Sequence, residues 1–107
     1  MTSMATTPFD PAEYLDSEVA VATYMSEALA TGDAAFVADA LGVVARARGM
    51  TDVARRAGLS RETLYRTLSA KGNPELATVL RVVGALGLQL SAVPAEHPDV
   101  DAIEVTT

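Results

Sequence analysis

The chain has no cysteine and no tryptophan, only five aromatic residues and a single histidine. Without cysteine there is no disulfide, no thiolate zinc site and no cysteine nucleophile, so the fold rests on packing alone and suits a reducing cytosol. His97 has no second His or Cys with which to share a metal, and its acidic surroundings predict a solvent-exposed side chain. Long apolar runs are missing too. None approaches the roughly 18 residues of a membrane span, and Met1 to Asp10 lacks the basic and apolar regions of a signal peptide, so a cytoplasmic protein with no membrane partner is expected. No Gly-rich phosphate loop, paired catalytic carboxylates or Ser/His/Asp set stands at a usable spacing. The sequence therefore predicts a non-enzyme with no cofactor, no catalytic residue and no metal site.

Positive charge is absent from both ends and crowded into the middle. All eight basic residues, Arg46, Arg48, Arg55, Arg56, Arg61, Arg66, Lys71 and Arg81, lie between positions 46 and 81, where only Asp52, Glu62 and Glu75 oppose them. Seven acids and no base precede this stretch, and four acids and no base follow it. The net charge of -6 thus hides one segment suited to a polyanion. The length of 107 residues allows one domain. An apolar half made mostly of Ala, Val and Leu predicts an all-α fold of about five helices, with a short strand at its C-terminal end. Residues 1–7 are expected to be disordered, 8–93 to form the helical domain, and 94–107 to be an acidic flexible tail.

Local signals place the elements. Pro8, Asp10 and Pro11 predict a helix start with Tyr14 and Leu15 on a short turn. Asp16 and Ser17 can cap a helix carrying Val21, Met25, Ala28 and Leu29 on one buried face, ending near Thr31-Gly32. Asp33 can cap the next, with Phe36, Val37, Leu41, Val44 and Ala45, and Gly49 as its stop. Thr51 is then expected to cap a helix of about two turns holding Val53, Ala54 and Ala57. Gly58 makes a tight turn, and Ser60 caps another short helix whose Leu64 and Leu68 point inward. In the following loop Gly72 and Asn73 are suited to positive φ, and Pro74 to the first turn of a last helix. That helix shows an apolar stripe of Leu76, Val79, Leu80, Val83 and Leu86, closed by Gly87. Leu88, Leu90 and Ala92 then alternate with polar residues, which predicts the short strand up to Pro94.

The two short helices around Gly58 read as a helix-turn-helix. Small Ala54 and Ala57 let the backbones approach, and the second helix can enter the major groove with its leading end toward the bases. Arg61 and Arg66 are candidates for guanine or phosphate, Glu62 for cytosine or for capping, and Thr63 and Tyr65 for bases or backbone. Thr51, Ser60 and Asn73 are expected at phosphates, with Arg55, Arg56 and Lys71 supplying the surrounding field. Recognition of this kind predicts a homodimer on a palindromic operator, with half-sites about one helical turn apart.

Residues Thr51 to Ser69, followed by Asn73 to Leu88, resemble the phage-repressor and Cro-like helix-turn-helix family. More narrowly, Phe9 to Asp16, Glu27 to Asp33 and Gly42 to Met50 look like the antidote proteins of bacterial toxin-antitoxin addiction modules. The likeness spans about residues 8 to 93, and the acidic tail after Pro94 does not match the family pattern. It implies an antitoxin that neutralises a small basic toxin of the RelE/ParE class and represses its own operon as a dimer, nucleoid-associated when on its operator. Two other readings stay open: a stand-alone repressor with no toxin, and a protein-interaction module that no longer reads DNA.

Overall fold

The computed structural model of the chain describes residues 15–95. The expectations for the first fourteen residues and for the acidic tail beyond Ala95 lie outside that range. Among the described residues five α-helices follow one another and there is no strand. Leu88 to Val93 does not pair with anything as a strand. Leu88 N–H instead donates to the Val83 carbonyl at 3.0 Å, which folds the segment back on the end of the last helix. Leu15 is not helical, yet it is buried in the core.

The first helix, α1 (Glu18–Ala30), is capped by Ser17, whose side chain accepts from the Ala20 N–H at 3.1 Å. It buries Val21, Met25 and Ala28, whereas Leu29, expected on the same face, is 42% exposed. Leu29 sits one residue past Ala28, about 100° around the helix, and so leaves the contact arc. The second helix, α2 (Ala34–Arg48), opens on Asp33, which accepts from the N–H groups of Ala35 and Phe36 at 3.0 and 3.2 Å. From Ala40 to Ala45 every residue of α2 is buried, which makes it the central rod of the fold. Its apolar face is wider than an amphipathic stripe because α1, α3 and α4 all pack against it.

Helix α3 (Met50–Ala57) begins two residues earlier than the capping signal suggested. Gly49 occupies the N-cap position with no side-chain cap, and Thr51 is exposed within the first turn. Burial of Met50 accounts for this, since the helix must already have started to carry that side chain inward. Gly58 ends α3 in the left-handed conformation, φ 74°, and the Leu59 N–H reaches back to the Ala54 carbonyl at 2.9 Å. Helix α4 (Arg61–Thr67) is capped by Ser60 as expected, with Ser60 Oγ accepting from the Thr63 N–H at 3.0 Å. Leu64 and Leu68 are buried beneath it.

Neither Gly72 nor Asn73 takes a positive φ. Gly72 is required for a different reason: a Cβ there would stand 2.1 Å from the Thr67 carbonyl oxygen. Helix α5 (Leu76–Ala85) starts from Glu75, so Pro74 precedes the helix and does not lie in its first turn. Its inward side carries Val82 and Val83, with Val79 and the adjoining Leu86, and it packs chiefly on α3. Leu76 and Leu80, read as part of the inward stripe, are 67% and 50% exposed. The core is wholly apolar: no polar or charged residue is buried among the described residues, and Leu41, Leu64, Leu86, Val21, Val44, Val53 and Val82 are sealed from solvent. Each such side chain contributes roughly 1.5–3 kcal/mol by its burial, enough together to fix the short helices on α2.

Candidate nucleic-acid interface

The short helices α3 and α4 cannot hold themselves together, because eight and seven residues are below the length at which isolated helices persist. Their relation is set by what lies beneath. Val53, Ala54 and Ala57 face the core from α3, Leu64 from α4 and Leu68 from its C-cap, and both helices pack on α2. Where α4 ends, the Leu68 carbonyl presses against α2 so closely that a Cβ at Gly42 would meet its oxygen at 2.3 Å. This contact anchors the far end of α4 and leaves its leading end free toward solvent.

On the outer side of α4, Arg61, Glu62, Tyr65 and Arg66 are exposed, as their spacing predicted. Arg61 and Tyr65 act as a pair: the guanidinium lies 5.4 Å from the ring centroid, and Nη2 donates to the phenol oxygen at 3.4 Å. Their i, i+4 separation makes this contact possible. Thr63 is half-buried, and its Oγ1 accepts from Ser60 Oγ at 2.8 Å, so its polar groups serve the helix cap. Glu62 takes no part in that cap and forms neither ion pair nor hydrogen bond among the described residues. Ser60, Lys71 and Asn73 are exposed along the edges of the same unit.

The structure gathers part of this surface into an open cleft of about 540 Å³, lined by Arg46, Thr51, Asp52, Arg55, Arg61 and Tyr65 with the backbone around Gly49 and Met50. Arg46 was not among the expected site residues. It stands in the last turn of α2, where its charge complements the helix dipole, and only the packing of α3 on α2 brings it beside Arg55 and Arg61. The uncapped start of α3 opens into the same cleft, so its free N–H groups add to the positive field. The expected field from Arg55 and Arg56 is tempered, however. Asp52 binds both: Oδ1 accepts from Arg55 Nη2, and Oδ2 stands 3.0 Å from Arg56 Nε. All three side chains are at least 46% exposed, so the pairing is weak and open to exchange.

Tyr24, on α1, has a phenol raised above its ordinary 10.0 by burial and by the charge of Asp39, with Arg46 opposing. Among the described residues no group of three metal-ligating side chains occurs, and no helix is long and apolar enough to cross a membrane.

Comparison with known proteins gives a consistent picture. A family model described as "probable addiction module antidote protein" matches residues 5–94. An uncharacterized protein of Haemophilus influenzae is 49% identical over 81 residues, which cover 76% of this chain and 84% of that protein. No solved structure matches the chain.

Proposed function

The chain belongs to the family of probable addiction module antidote proteins, and from that premise we propose that it is an antitoxin which represses its own operon through the helix-turn-helix α3–α4. Membership implies a toxin partner and a regulatory, non-enzymatic role. In the finer reading the partner is a small basic toxin of the RelE/ParE class, the helix-turn-helix is of the phage-repressor type, and the working domain spans residues 8–93. Exposed Glu18, Glu27, Asp33 and Asp39, all on the stretch that lacks bases, support a basic protein partner.

The observation that carries the DNA reading is the convergence of Arg46, Arg55 and Arg61 from three helices around the start of α3. Asp52 offsets only one of these three charges, so the cleft keeps a surplus of positive charge that favours a polyanion. In this reading Thr51, Ser60, Lys71 and Asn73 meet phosphates, together with Arg46, Arg55 and Arg56. Arg61, Tyr65 and Arg66, with Glu62 beside them, face base edges, and Thr63 holds the leading turn of α4 in shape. The duplex would be approached as a homodimer, and the protein would lie on the bacterial nucleoid when bound.

The test uses a duplex carrying the sequence upstream of the chain's own coding region, with binding followed by fluorescence anisotropy. Arg61→Ala and Arg66→Ala should each weaken binding by about 1–3 kcal/mol, and lose discrimination between this duplex and an unrelated one if the contact is to a base. Unchanged affinity in both variants would remove the DNA reading. The toxin role is checked separately, by co-expression with the neighbouring open reading frame. Rescue of growth and co-purification are the expected results.

A further inference from the structure

The cleft at the start of α3 gathers charge more tightly than a duplex backbone alone requires. Arg46 comes from the last turn of α2, Arg55 from α3 and Arg61 from the first turn of α4, and all three line one depression of about 540 Å³. That size lies within the roughly 300–1,000 Å³ of a small-molecule site. Asp52 is the one acid in the lining, so three guanidiniums face a single carboxylate. The phosphates of a duplex carry one charge each and are spaced along its outside, whereas linked phosphates bring several charges to one spot. Guanidinium forks suit such a ligand because each can hold two phosphate oxygens at once. One of the forks is already restrained. Tyr65, 45% exposed in the wall of the cleft, keeps the Arg61 guanidinium 5.4 Å from its ring centroid, which lowers the cost of ordering that side chain on a ligand. Arg48, Arg66, Lys71 and Arg81 are equally exposed, but none of them lines the cleft.

We propose that this cleft is also a binding site for a free short polyphosphate, the chemistry shared by inorganic triphosphate and the nucleoside triphosphates, and that this ligand and a duplex exclude one another. Arg46, Arg55 and Arg61 take the phosphate oxygens from three sides, and the exposed Thr51 hydroxyl in the same lining can donate to a fourth position. The ion pairs of Asp52 with Arg55 and Arg56 are exposed and therefore weak, so a ligand of several negative charges displaces the carboxylate from Arg55. With the cleft filled, the arginines that would hold a duplex are neutralised. Only this exclusion rests on the DNA reading; the site itself stands on the three arginines and the volume they enclose.

The test begins without DNA. Isothermal titration of the full chain with sodium tripolyphosphate at low salt should show one ligand bound per chain. Arg46→Ala and Arg61→Ala, both at exposed positions, should each weaken binding by about 10-fold or more with the helical circular dichroism unchanged. Arg81→Ala removes the same charge outside the cleft and should change the affinity by less than about 2-fold. Titration with ATP separates the two sources of the ligand. A gain over tripolyphosphate that Tyr65→Ala abolishes assigns the site to a nucleotide whose base stacks on the Arg61–Tyr65 pair, and equal affinity assigns it to the phosphate chain itself. No binding at about 1 mM tripolyphosphate would overturn the proposal. So would equal losses in Arg46→Ala, Arg61→Ala and Arg81→Ala, because the attraction would then be diffuse. Tripolyphosphate should finally displace the upstream duplex, and a duplex held equally well with the cleft filled would overturn the exclusion. A chain that binds tripolyphosphate but no duplex would remove the DNA reading and leave this site standing.

Discussion

Asp52 is the residue whose role differs most from its neighbours. It sits in the first turn of α3, where a carboxylate favours the helix dipole, yet it also lies in the cleft where phosphate is proposed to bind and holds Arg55 and Arg56. A phosphate arriving there must compete with Asp52 for both guanidiniums. An exposed ion pair is worth at most about 1 kcal/mol, so Asp52→Asn should tighten duplex binding by roughly 5-fold. The gain should vanish when Arg55 and Arg56 are both changed to Ala, and a gain that survives would mean that Asp52 acts only as a diffuse negative charge. Arg61 is restrained differently, by a ring and a hydroxyl on its own helix. That contact costs the arginine little freedom and keeps it in the cleft, ready to exchange the phenol for a better acceptor.

At the scale of elements, the positions that matter are those where one helix meets another at backbone distance. Gly42 on α2 faces the Leu68 carbonyl at the end of α4, and Gly72 in the following loop faces the Thr67 carbonyl. Both opposing atoms are backbone and cannot swing aside. Gly42→Ala should therefore cost about 1–3 kcal/mol of unfolding free energy in chemical denaturation, the usual penalty of overpacking. It should also weaken duplex binding, because α4 can relieve the clash only by shifting the end that anchors it. A variant of full stability and full affinity would show that α4 is not seated on α2 as described. The Ser60 cap and the inward Leu64 and Leu68 were legible in the sequence because each is a relation within one or two turns. Thr51 reads as a cap in the sequence but is not one, because a glycine at φ 107° joins two helices almost without a loop, and a β-hydroxyl two residues further on imitates a start signal.

For the whole molecule, the separation of charge governs behaviour with salt. A chain with net charge -6 and a sequence pI near 4.5 should be repelled by DNA at long range, so binding must come from the local arginine field. A dimer making about six to ten phosphate contacts should lose roughly 10³- to 10⁵-fold in affinity between about 50 and 200 mM salt. A titration with almost no slope would contradict a phosphate-based interface. In the proposed reading, the same separation would leave the acidic helices available to a basic partner while α3 and α4 hold a duplex.

The order of the helices, their approximate ends, the outward residues of α4 and the confinement of positive charge to one segment were all set by the sequence, since propensity, capping and helical spacing act over a few residues. Tertiary structure decided which way each helix is turned about its own axis. An apolar stripe says that a helix has an inner side, but the neighbours choose which part of it they cover; hence Leu29, Leu76 and Leu80 lie outside while Val82 lies inside. It also decided the company of Arg46, because residues far apart in the chain are brought side by side only when α2, α3 and α4 close on a shared core.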